Sequence, residues 1–246
     1  MDKILFVVTS HNQLKNGQAT GLWLEEYAVP FMLWREAGYI IDVVSPSGGQ
    51  APIDPHSMPD KGLCSQTFRD NMAKYTMEMS EAQTKLEQTM KLSEIKGDEY
   101  CAVFFPGGHG CLWDVCVCPV SIALLESFIL QEKPIFAICH ASGILAAPKG
   151  EDGLNWIKDR SVTGFSNAEE NLLGLEDEIP FSTENKLIEA GAMYSCEKPG
   201  ASFVVEDNRL VTGQNSNSSW DFAKKCLRVL DELYVEAQAG KNNLHQ

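Results

Sequence analysis

The chain has 246 residues, enough for a large α/β unit with a sizeable core. Its 34 Asp plus Glu against 20 Lys plus Arg leave a formal charge of −14. That balance argues against nucleic acid or an anionic membrane as the main partner, because phosphate binding needs a basic face.

The opening "MDKILFVVTS" has an apolar run too short for a secretory signal, and no stretch approaches the ~20 apolar residues that span a bilayer. A cytoplasmic location is therefore expected. The eight cysteines are then expected to be mostly free thiols, with Cys101 and Cys226 lying in apolar, core-like patterns.

Residues 3–10 read as a buried strand. The segment 21–38 places Trp23, Tyr27, Pro30, Phe31 and Trp34 at helical spacing and stops at Gly38. Pro30 should kink or restart that helix. Strands follow at 39–45, 100–108 and 134–139, with a helix at 119–133 whose first residue, Pro119, suits its first turn. Continuous apolar strands of this kind are buried on both faces, which defines a doubly wound, mostly parallel sheet between helices.

Residues 46–98 break the alternation, being rich in Pro and Gly and then polar and helical. They read as an insertion covering one edge of the sheet or the site, with too little apolar content for a core of their own. Further on, "RSVTGFS" reads as a strand, "ENKLIEAGA" as a helix, and 201–215 as a hairpin turning near Asp207-Asn208. A closing helix spans 218–237, with Ser218 or Ser219 as its cap, and 238–246 reads as a frayed tail carrying His245.

Ligands of doubly wound sheets bind at the carboxyl ends of the strands. Here those ends include "PGGHG" (106–110) and Cys139-His140. A thiol at a strand-to-helix turn sits where free N–H groups favour the thiolate. Adjacent residues do not face one another in a helix, so His140 reaches Cys139 only if Cys139 has a strained backbone. Gly107 and Gly108 let the backbone pass close to a ligand and turn N–H groups inward, as an oxyanion pocket requires. A metal centre at His109, Cys111, Cys116 and Cys118 is not expected, because the segment has no C-x₂-C pair and no second pair at finger-like distance.

"CHA" after a buried strand, "PGGHG" before it and "ATGLWLEEYAVP" near the N-terminus resemble the ThiJ/PfpI superfamily. "SPSGGQAPIDPHS", "VTGFSNAEE" and "LVTGQN" resemble its glyoxalase III branch, whose members are also described as heat-shock chaperones and protein deglycases. The resemblance implies a flavodoxin-like α/β sandwich. It makes Cys139 the nucleophile and His140 its partner, with Glu170 (rival Glu169) as third member and Glu26 (rival Glu25) as the acidic residue near the sulfur. Gly108 and His140 would supply the oxyanion N–H groups. The sequence departs from the pattern at Ser216, where many relatives have Pro, and in the Cys-rich "CLWDVCVC".

What the resemblance implies for activity is conversion of a small dicarbonyl, methylglyoxal, to lactate without glutathione, cofactor or metal, by a homodimer. Two other readings stay open on sequence: a cysteine peptidase or amidohydrolase with the same nucleophile, and a non-enzymatic stress chaperone or redox sensor.

Overall fold

The computed structural model describes residues 2–243 apart from 62, 73 and 151. The chain runs β1 (Lys3–Val7), α1 (Leu24–Glu36), β2 (Ile40–Ser45), α2 (Gln66–Asn71), α3 (Thr76–Glu87), β3 (Met90–Lys91), β4 (Ala102–Phe105) and α4 (Pro119–Leu130). It continues through β5 (Ile135–Ile138), β6 (Ser161–Val162), α5 (Asn167–Leu173), α6 (Thr183–Glu189), β7 (Met193–Tyr194), β8 (Val204–Asp207), β9 (Leu210–Gly213) and α7 (Ser219–Asn243).

The main sheet has seven strands in the order β3-β2-β1-β4-β5-β9-β8. All pairs are parallel except β8–β9, the hairpin expected around Asp207-Asn208. Because side chains alternate along a strand, Ile4, Phe6 and Val8 point into one core with α1, α3 and α7, while Leu5 and Val7 point into a second core with α4 and α6. The strand order reverses between β1 and β4, and the loops leaving the carboxyl ends of β4 and β5 lie beside that switch point. This is where doubly wound sheets hold ligands.

The first core centres on Phe6. Its ring meets Tyr27, Phe31, Trp34 and Phe104 edge-on, at centroid separations of 5.8, 6.0, 5.3 and 4.8 Å. Aromatic quadrupoles favour that geometry. The cluster welds α1 to the sheet and so fixes where Glu26 points.

Several expectations need correction. α1 passes through Pro30 as one helix, although the missing N–H costs it the bond to the Glu26 carbonyl; the buried face on either side of Pro30 holds the helix together. "RSVTGFS" contributes only Ser161–Val162, paired with β7 in a separate two-stranded sheet. Residues 46–98 contribute β3 to the sheet edge and bury Cys64, Phe68, Tyr75, Ala82 and Leu86 in the first core, so their sparse apolar residues serve the common core. α7 continues to Asn243, so the tail read as frayed from 238 is helical through 243, while 244–246, with His245, lie outside the described residues. Ser219 opens α7 with its hydroxyl donating back to the Ser216 carbonyl, so it is not an N-cap acceptor.

Phe6→Ala removes the hub of the cluster and should cost about 3–5 kcal/mol, seen as a fall of about 10 °C in Tm by calorimetry.

Candidate active site

β5 ends at Ile138 and the chain turns within one residue. Cys139 has φ 59°, a left-handed conformation costly for a side chain with a Cβ. This is the strain that the Cys139–His140 pairing requires: Cys139 Sγ and His140 Nδ1 are 3.2 Å apart. The segment after the turn, Cys139–Ala146, winds as a 3₁₀ helix rather than the expected α-helix. The small residues Ala141, Ser142 and Gly143 tolerate the tighter winding.

His140 is buried, with Phe165 lying against its ring at 4.2 Å and 32°. Its Nε2 donates to Glu170 Oε2 at 2.7 Å. Glu170 is carried by α5, a seven-residue helix that goes unread in the sequence pattern because it is too short to show a period. Ser166 caps that helix and Glu169 closes a capping box on it. Glu169 also accepts from Gln214, Asn215 and the Gly200 N–H. Its oxygens are thus committed to structure, and Glu170 is the residue facing His140.

On α1 the same division occurs. Glu25 accepts from the Ser65 backbone N–H and hydroxyl. Glu26 faces the Cys139 thiol and the Gly107 backbone, and its Oε2 has no hydrogen-bond partner of ordinary geometry among the described residues. An orphaned buried carboxyl oxygen beside the sulfur is a polar atom free to meet a ligand atom.

Two carboxyls within one site are driven to opposite protonation states. Burial, reinforced by Glu25, pushes Glu26 up to about 8, against the pull of the Cys139 thiol and Gly107, so it carries its proton at neutral pH. Burial also works to raise Glu170, but the two imidazoles facing it prevail and hold it well below the usual carboxylate range. Burial and then His109 push His140 below its ordinary value, leaving a neutral imidazole able to accept a proton. Cys139 departs from the acidic thiol expected at a helix terminus. Burial and the neighbouring Glu26 push it up, although the His140 backbone N–H favours the thiolate. The thiol thus keeps its proton, with His140 Nδ1 the acceptor in reach at 3.2 Å.

Gly107 and Gly108 form the floor. A Cβ at Gly107 would lie 2.6 Å from Glu26 Oε2 and 2.8 Å from Cys139 Cβ. At Gly108, where φ is +102°, it would lie 2.3 Å from the Gly21 carbonyl oxygen. Only glycine brings this loop so close to Cys139. The loop is latched by the Trp23 N–H donating to the Gly107 carbonyl at 3.0 Å.

Sequence reasoning missed the part His109 plays. Its Nε2 donates to Glu170 Oε1 at 2.7 Å, and its ring centroid is 4.0 Å from that of His140. The "GGHG" motif was the available signal. His109, His140 and Glu170 are the group of metal-ligand type that comes together among the described residues. Their 2.7 Å N···O contacts are those of proton-bridged bonds; ligands around tetrahedral zinc stand roughly 3.3 Å apart. Of the cysteines in "CLWDVCVC", Cys111 donates to the Gly108 carbonyl at 3.2 Å and Cys116 lies 4.0 Å from Cys111.

Cys139, His140, Glu26, Gly108 and His109 line a cavity of about 300 Å³. Leu63, Leu172, Leu173 and Ser216 stand around it, Leu63 coming from the 46–98 segment. The Asn215 and Trp23 side chains complete its wall.

This is a Cys-His-Glu arrangement on a flavodoxin-like sheet. The family model described as DJ-1/PfpI matches residues 18–229, and the chain belongs to that family. It is 29% identical to "Glyoxalase 3" of Candida albicans, with 94% of this chain and 99% of the relative covered. Among solved structures it is similar to the Rapid Encystment Protein 24 KDa of Francisella tularensis, with TM-score 0.84, 35% identity, and 94% of this chain and 99% of that one covered. It is also similar to the glyoxalase III of Candida albicans, with TM-score 0.81, 26% identity, and 93% of this chain and 97% of that one covered.

A carboxyl raised from 4.5 to about 8 binds a proton in the folded state that the unfolded chain has released. Stability therefore falls as pH rises across that window. Glu26→Gln should raise Tm at pH 7 by several degrees, for roughly 2–3 kcal/mol, with the gain shrinking as pH falls toward 4.5. Thermal unfolding across that pH range checks it.

Proposed function

We propose that this protein is a glutathione-independent glyoxalase of the glyoxalase III type, converting methylglyoxal to lactate with Cys139 in the place of a thiol cofactor. The observation that carries the reading is the sulfur held between a neutral imidazole at 3.2 Å and a protonated Glu26. The relative named "Glyoxalase 3" is covered over 99% of its length, which supports the same conclusion. A cavity of about 300 Å³ has room for a small aldehyde.

His140 Nδ1 takes the thiol proton as Sγ attacks the aldehyde carbon, and the N–H groups of Gly108 and His140 hold the developing oxyanion. His140 returns that proton to the oxygen, giving a hemithioacetal. The neutral imidazole then removes the hydrogen from the former aldehyde carbon while Glu26 donates its proton to the ketone oxygen, and an enediol results. Charged His140 delivers its proton to the second carbon. Glu26 recovers one from the hydroxyl of the first, leaving a lactoyl thioester. Water, deprotonated by His140, displaces the thiol and releases lactate. Glu170 holds the imidazole and stabilises its charged form.

Assembly as a homodimer, which rests on the resemblance, and a cytoplasmic setting, which rests on the short apolar opening run, belong to the same proposal. No helix among the described residues is long and apolar enough to cross a membrane.

Lactate should form from methylglyoxal without glutathione. Cys139→Ser should lose about 10³-fold or more, and Glu26→Gln and Glu170→Gln about 10²–10⁴-fold each, all with the fold retained by circular dichroism. A folded, reduced wild type making no lactate would sink the reading. In a pH profile, kcat should fall as pH rises through about 8, where Glu26 gives up its donor proton; the residual activity of Glu26→Gln should lack that alkaline limb.

A further inference from the structure

We propose that His109 is a positioning residue of this site, acting through Glu170 to fix which nitrogen of His140 faces the sulfur. The two oxygens of Glu170 are divided between two imidazoles: Oε1 accepts from His109 Nε2 and Oε2 from His140 Nε2, at 2.7 Å each. All three side chains are buried. A glutamate carboxyl turns freely about its last torsion, so one partner does not set its orientation; two do. With Oε1 taken, Oε2 is presented to His140 in the one direction left.

That division has a chemical consequence. A neutral imidazole carries a single proton. An ionised carboxylate only accepts, so the neutral His140 ring must place its proton on Nε2. The lone pair of His140 is thereby committed to Nδ1, which lies 3.2 Å from Cys139 Sγ and can take the thiol proton. If Glu170 turned away, the Nδ1–H form would gain population and the base would be lost without moving the ring. His109 follows Gly108 directly, so the same contact ties the oxyanion loop after β4 to α5 and to the elbow after β5. Three segments distant in sequence close on one carboxylate.

The inference rests on the proposed reaction for its kinetic part only. The test compares wild type, His109→Gln and His109→Leu, each matched for folding by near-ultraviolet circular dichroism, with His109→Ala standing in if leucine is not accommodated. Glutamine keeps an N–H donor for Oε1; leucine and alanine do not. In long-range ¹H–¹⁵N spectra of ¹⁵N-histidine-labelled protein, His140 should show the Nε2–H form in wild type and His109→Gln. The Nδ1–H form should appear in His109→Leu. The kcat for lactate formation should fall about 10–100-fold in His109→Leu at unchanged KM, with glutamine restoring most of it. Leucine leaving the His140 tautomer unchanged, or glutamine failing as badly as leucine in a folded protein, would overturn the proposal. A wild type that makes no lactate removes the reaction but leaves the tautomer comparison to decide the role of His109.

Discussion

Everything at this site depends on one residue held in an unfavourable conformation. With Cys139 at φ 59°, the thiol and the following imidazole meet although neighbours in a regular helix cannot. The cost is met by what surrounds the turn. β5 is buried between β4 and β9, Phe165 lies against the His140 ring, and the Gly107-Gly108 loop packs so close to the turn that a Cβ at Gly107 would lie 2.7 Å from the Ile138 carbonyl oxygen. Strain of this kind persists only where the neighbouring structure over-determines it.

The second constraint is electrostatic. A buried pocket cannot hold several like charges, so burial and partners sort its groups. Glu26, without a bonded partner for Oε2, keeps its proton; Glu170, gripped by two imidazole N–H groups, gives its proton up. Two carboxyls pushed apart in this way are the usual signature of an acid and an orienting base partner working at one pH. The elevated thiol fits the same logic. The site stores its reactivity in a ready acceptor, His140, rather than in a standing thiolate.

Much of this was legible in the sequence. Continuous apolar runs gave β1, β2, β4 and β5 because such strands are buried on both faces, and the adjacency of Cys139 and His140 at the end of one of them located the site. The choice of Glu26 over Glu25 and Glu170 over Glu169 followed from resemblance, and the geometry agrees with it: Glu25 is bound to Ser65 and Glu169 to a capping box. Other features were not legible. α5 is too short to show a period, and the strand read at "RSVTGFS" pairs only over Ser161–Val162. The 3₁₀ winding after Cys139 depends on packing, not propensity. His109 could be read only as part of a turn, because its partner lies 61 residues away. Long-range pairings between polar side chains leave no local pattern.

In the proposed reaction the substrate passes through a covalent bond to Cys139. Rapid-quench mass spectrometry of the protein mixed with methylglyoxal should show a mass gain of one substrate molecule on the peptide containing Cys139, rising and decaying at the rate of turnover. Turnover with no adduct on that peptide, or with the adduct on another residue, would contradict it.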